Sequence, residues 1–280
     1  MSDAADHPAT DDREELAGYV DIWWRAIDDF THLLEALDEA DWGTATDLPG
    51  WDVHAVAAHT AHLEAILAGH PEETVEIEQP DHVTSLMQAY TEQGVVARRH
   101  RTPDELINEI RESATTRRTA LLDDPPTDGA AKPELIFGGI GWTWRTLLRN
   151  RPLDVWMHEQ DVRRATGRPG NLDSAAARHT ADYLLESMPY VLAKRLGAAP
   201  GTSAVFRVDG SEPVVAVVND DGRGALAADA PAEPTVTVET DRETFVLLAG
   251  GRRTPPPEAI RLTGDADLGA RLLEALAVTP

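Results

Sequence analysis

The sequence predicts two folds in succession: an all-helical bundle, then a smaller α+β domain. Three observations predict this. Apolar residues recur every three or four positions from about residue 13 to residue 196, the repeat of one helix face. After Pro200 that repeat gives way to short valine-rich runs separated by turn residues, the pattern of strands. Capping residues and Pro/Gly breaks fall between the helical stretches, where a bundle needs its connections. The division near Ala199 gives expected domains of 13–199 and 200–280, which suits a chain of 280 residues.

Each element has its own signal. Met1 to Asp12 is polar and is expected to be disordered. From about Arg13 to Leu37, Leu16, Val20, Trp23, Ile27, Phe30, Leu34 and Leu37 form one apolar stripe. Leu48-Pro49-Gly50 is a turn, and Asp52 is placed to cap a second helix from about Val53 to Ala68. Asp81 to Arg99 reads as a third helix. Thr102-Pro103-Asp104-Glu105 is a capping box with proline at the first helical position, and it opens a fourth. Asp123 to Gly141 is a Pro/Gly-rich loop. Trp142 to Thr166 is helical, with a kink or restart expected at Pro152. Asp173 is expected to cap a last helix reaching about Leu196. Ser203–Asp209, Pro213–Asn219 and Thr235–Glu239 read as strands, with a turn at Asn219-Asp220-Asp221-Gly222. Thr240-Asp241-Arg242-Glu243 reads as a second capping box, Ile260–Leu262 as a short strand and Asp267–Ala277 as a closing helix.

Composition narrows the function. There are 49 acidic and 25 basic residues, for a net charge of −24, so nucleic acid and anionic lipid are repelled rather than bound. No apolar run approaches the roughly 18 residues that a membrane span requires. The first residues lack the basic start and apolar stretch of a secretory signal, so a cytoplasmic protein is expected. Small molecules are the expected partners, and the oligomeric state is left open. There is no cysteine. Any metal must therefore be held by nitrogen and oxygen, and any thiol chemistry must borrow its thiol.

Two segments carry candidate chemistry. At about 100° per residue, His59 falls in the middle of the buried stripe of the second helix, His62 on its flank and His54 nearly opposite. On the later helix Asp154 and His158 stand one turn apart on the face shared by Leu147 and Val162. A carboxylate on an apolar face is costly unless it is paired, hydrogen-bonded or metal-bound. Two imidazoles and a carboxylate meeting inside a bundle form a metal site with an open position. Zinc suits those donors best, and nickel or iron(II) would also accept them. The plainer readings stand beside this one: His59 as a hydrogen-bonded core residue, and Asp154 as the ion-pair partner of His158 or of Arg151. Asp161 is expected behind the site or at the surface, and Trp142, Trp144 and Trp156 in core and loop packing.

The same residues carry a resemblance. Leu48-Pro49-Gly50-Trp51 followed by His59, and the run from Arg151 to Arg163 containing Asp154-Val155-Trp156-Met157-His158, resemble the mycothiol-dependent maleylpyruvate isomerase family, within the DinB-like metal-binding four-helix bundles. Ser203 to Pro280 resembles that family's sterol-carrier-like C-terminal domain. The resemblance implies a metal held by His59, Asp154 and His158, with Asp154 standing where the family has the longer Glu. It implies mycothiol as a thiol cosubstrate, and either cis–trans isomerisation or thiol transfer to a small electrophile. It also implies an arginine of the C-terminal domain near the site. Arg252, in Leu248-Ala249-Gly250-Gly251-Arg252, is the candidate for that catalytic and cofactor-binding role, against a plain surface arginine in a Gly/Pro loop. A non-catalytic metal- or small-molecule-binding protein is the competing expectation.

Overall fold

In a computed structural model, residues 12–78 and 80–279 are described. Contacts divide the chain into two units: Met1–Gly43 with Val53–Val155, and Thr44–Asp52 with Trp156–Pro280. The expectation of disorder falls on residues 1–11, outside the described residues. Asp12 itself is held, its carboxylate accepting from the Gly129 amide at 2.8 Å and pairing with Arg145 at 2.7 Å.

The first unit is helical. Helix α1 spans Arg13–Glu35 and buries Leu16, Val20, Trp23, Ile27, Phe30 and Leu34 of the expected stripe, while Leu37 lies beyond its end. Helix α2 (Val53–Leu67) is buried along nearly its whole length, so its core is made of small residues, alanine above all. Helix α3 (Leu86–Arg98) starts five residues later than expected, because the Ser85 hydroxyl accepts from the Gln88 amide and fixes the first turn there. Gly94 in α3 lies against the His62 ring so closely that a Cβ has no room. Helix α4 (Pro103–Asp123) begins with the expected capping box, both bonds being made between Thr102 and Glu105. Helix α4 packs on both α1 and α2, and α3 packs on α2. Phe137, Tyr90, Trp142 and Trp144 gather around Leu63, Ile66, Leu67 and Leu147. Two of the three tryptophans thus pack as loop and core residues, and Trp156 is fully buried.

Helix α5 (Trp144–Ala165) passes without interruption from the first unit into the second. Pro152 lies inside it and does not restart it, a correction to the sequence reading. Helix α6 (Ala175–Leu185) is capped by Ser174, whose hydroxyl accepts from the Ala177 amide. Asp173, the expected cap, instead meets Arg242 at 3.1 Å. The expected long helix to Leu196 is broken. A single turn, α7 (Met188–Tyr190), contains Pro189 and is followed by a π turn over Val191–Arg195.

The rest of the second unit holds a five-stranded sheet. Its strands are β1 (Ser203–Val208), β2 (Val214–Val218), β3 (Gly224–Ala227), β4 (Val236–Thr240) and β5 (Ile260–Gly264), in the order β3-β2-β1-β4-β5. Only β1 and β4 are parallel. The central β1 is buried at five of its six positions, whereas β4 alternates, as a strand covered on one face does. Helix α8 (Arg242–Ala249) is capped by Asp241 and not by Thr240, which ends β4 and donates its hydroxyl to the Ala259 carbonyl. Helix α9 (Ala266–Glu274), capped by Asp265, covers β4 and β5. No helix among the described residues is long and apolar enough to cross a membrane.

Candidate metal centre

Helix α2 places His59 in the first unit's interior, with 4% of its surface exposed. Its Nε2 stands 3.8 Å from Asp154 Oδ2 on α5. His158 follows Asp154 by one turn of the same continuous helix. A ligand atom from each of His59, Asp154 and His158 lies within 4.8 Å of the other two. Two donors each about 2.0–2.2 Å from one zinc ion stand roughly 3.5 Å apart, so the 3.8 Å spacing suits a shared cation. Nitrogen, nitrogen and oxygen also form a donor set that zinc accepts.

Each half of the cluster has its own backing. On the His158 side, Nδ1 stands 3.2 Å from Asp161 Oδ2. A ring that donates from Nδ1 keeps its lone pair on Nε2, the tautomer a metal needs. Asp161 is fully buried. It accepts from Arg164 Nη2 at 2.6 Å and from Arg252 Nε and Nη2 at 3.1 and 3.0 Å. Burial raises its pKa, and the Arg252 charge together with His158 overcomes this, so the carboxyl is held down to about 2. Arg164 also reaches Asp47 at 2.8 Å, as does Arg253 through a two-toothed pair. Asp47 lies just ahead of the Leu48–Trp51 turn, and the Trp51 ring lies beside that of His158, tilted by 41° with centroids 6.2 Å apart.

On the Asp154 side, Oδ2 accepts from Arg151 Nη1 at 2.9 Å, so the sequence's ion-pair alternative is realised within the same cluster. Arg151 is fully buried. Its Nε and Nη2 donate to Glu64 Oε1 at 3.1 and 2.8 Å. Glu64, also fully buried, accepts from Trp23 Nε1 at 3.0 Å and from Arg117 Nη1 at 3.3 Å. Arg117 lies over the Trp23 ring at 4.6 Å, and burial lowers its pKa to about 10 despite the adjacent Glu64. Glu64 was not anticipated beside this cluster, and Arg151 only as an ion-pair partner of Asp154. The signal was present: Glu64 is the one acidic residue of α2.

The other candidates fall elsewhere. His62 faces α3, with Nδ1 3.3 Å from Arg98 Nη1 and its ring 5.9 Å from that of Tyr90. Burial first, then the charges of Arg98 and His59, lower its pKa to about 3. His54 bonds the Arg101 carbonyl at 2.8 Å. Arg252 is not a loose surface residue. Its side chain is 6% exposed, and it holds the Gly250 carbonyl as well as Asp161. A cleft of about 410 Å³ opens beside it, walled by Leu247, Ile260, Leu273 and Ala277.

Comparison with known proteins gives this arrangement a family. The family model described as the mycothiol maleylpyruvate isomerase N-terminal domain matches residues 23–163. The model described as the MDMPI C-terminal domain matches residues 178–271. No curated protein sequence matches. Two solved structures share the fold: the mycothiol-dependent maleylpyruvate isomerase and its histidine-to-alanine mutant, with TM-scores of 0.54 and 0.55. Each is 18% identical, over 95% of this chain and 98% of the other. The helical part followed by a five-stranded α+β part is therefore the fold of that isomerase, and the chain belongs to the mycothiol maleylpyruvate isomerase family.

Proposed function

We propose that this chain is a metal-assisted enzyme that uses mycothiol as thiol cosubstrate on a small electrophile, by cis–trans isomerisation or by thiol transfer. One observation carries the reading: two imidazoles and a carboxylate lie within 4.8 Å of each other in a chain of this family. His59, Asp154 and His158 are the proposed ligands, with zinc as the preferred ion. A divalent ion held there supplies Lewis acidity and lowers the pKa of a thiol or water in the open position.

The chain's own residues prepare that position. Asp161 fixes the His158 tautomer. Arg252 spends three N–H groups on Asp161 and Gly250. A guanidinium has five, so two are left for a carboxylate of substrate or cofactor. The apolar cleft beside it offers room for the remainder of such a molecule. We assign residues 13–199 to the metal-binding domain and 200–280 to the α+β domain that supplies Arg252.

A second reading, a protein that binds metal or small molecules without turnover, is favoured by the bond between Asp154 and Arg151, which already satisfies one carboxylate oxygen. The test is zinc-loaded protein incubated with mycothiol and maleylpyruvate, followed by absorbance, and with a generic electrophile, followed by thiol loss. Turnover that needs both zinc and mycothiol is the expected result. Loaded protein that changes neither substrate would leave the binding reading.

A further inference from the structure

The geometry points to Glu64 and Arg151 as a positioning pair that sets Asp154 in place for a metal, an inference that rests on the metal reading above. Both side chains are fully buried, although burying two ions costs several kcal/mol per ion before pairing. Apolar residues of similar volume serve stability as well or better. The pair therefore calls for a reason other than stability, and its placement supplies one.

Glu64 Oε1 accepts from two N–H groups on one edge of the Arg151 guanidinium, Nε and Nη2. Because the guanidinium is planar, those two bonds fix where Nη1 stands. Nη1 meets Asp154 Oδ2 at 2.9 Å, and this same oxygen lies 3.8 Å from His59 Nε2. Asp154 is the least buried of the three ligand candidates, with 22% of its side chain exposed, so it is the one most in need of a fixed rotamer. On the far side, Trp23 and Arg117 hold Glu64.

The connections form a closed circuit between two helices. His59 and Glu64 both belong to α2, while Arg151 and Asp154 both belong to α5. The Glu64–Arg151 bonds thereby set the spacing of α2 and α5 next to the site. A carboxylate one methylene shorter than Glu needs that spacing held tightly to stay within reach of His59. Hydrogen-bond partners behind metal ligands are commonly worth 10–100-fold in metal affinity.

Zinc affinity, measured by competition with a chromophoric chelator, tests this together with thermal unfolding of the same samples. Glu64→Gln keeps an acceptor for Arg151 and Trp23 but removes the charge that clamps the guanidinium. Its zinc dissociation constant is expected to rise about 10–100-fold. In an Asp154→Asn background the same change should have almost no effect, because the pair acts only through Asp154. Arg151→Lys, which retains the charge and loses the planar fork, is the second variant should Glu64→Gln not fold, with the same rise expected. A lowered unfolding temperature with unchanged zinc affinity would overturn the inference. So would an affinity loss that persists in the Asp154→Asn background, since that would mark general loosening. Wild-type protein that takes up no zinc would overturn the metal reading and this inference together. Wild type that binds while Glu64→Gln binds equally well would overturn the inference alone.

Discussion

Asp154 and Asp161 stand two turns apart on helix α5 and are treated in opposite ways. Asp161 is sealed: fully buried, gripped by Arg252 and Arg164, and bonded to the His158 ring. Asp154 is left partly open, with Arg151 on one oxygen and His59 close by. The difference assigns the work. A carboxylate that steadies an imidazole gains from low dielectric and saturated lone pairs, because both strengthen its hold. A carboxylate that is to meet a cation must keep a lone pair and a path to water. Under the proposed metal reading, one helix carries a supporting acid and a receiving acid, distinguished by how many arginines surround each.

The sharpest way to break this comparison is to neutralise each acid in turn. Asp161→Asn leaves Arg252 and Arg164 partly uncompensated in a buried place, which costs about 3–5 kcal/mol when one partner of a buried pair is lost. Chemical denaturation should show that loss directly, whether or not metal is present. An unchanged midpoint would mean that Asp161 is no more than a surface acid in solution.

The next effect comes from the first unit and is visible as pH dependence. His62 is held neutral in the folded chain, its pKa lowered from 6.5 to about 3. The unfolded chain takes up that proton at a higher pH than the folded chain does. Stability from this site is therefore complete above about pH 6.5 and declines as pH falls toward 3, by about 1.4 kcal/mol per unit. His62→Leu should flatten the slope by one proton, as measured by urea unfolding between pH 7 and pH 4. A slope identical to wild type would place His62 in water.

The smallest stability effect belongs to the receiving acid. Asp154→Asn still accepts from Arg151 and should cost about 1 kcal/mol, yet metal uptake should fall steeply because a charged donor is lost. A large stability loss there would erase the distinction between the two acids.

How much of this was legible in the sequence follows from range. The α1 stripe, the Thr102–Glu105 box and the inward placement of His59 and His158 all come from periodicities of three to five residues, which a single chain displays. The shift from helix to strand between Arg195 and Ser203 was legible for the same reason. The caps at Ser174 and Asp241 were misplaced by one residue, since neighbouring Asp, Ser and Thr compete for the same role and packing decides among them. Pro152 passing through α5 and the π turn after Pro189 depend on what surrounds them. The arginine partners were hidden for a different reason. Arg151 meets a glutamate 87 positions away and Arg252 an aspartate 91 positions away, pairings that no local pattern encodes. Arg252 was placed by resemblance alone, and its bond to Asp161 by the fold.

The most direct test is elemental analysis with anomalous scattering on crystals of the zinc-loaded protein, beside a His158→Ala control. Stoichiometric zinc with its anomalous peak between His59, Asp154 and His158, and loss of that peak in His158→Ala, is the expected result. Protein that carries no metal after loading, or whose peak survives removal of the His158 imidazole, would contradict the three-ligand centre on which the proposed chemistry stands.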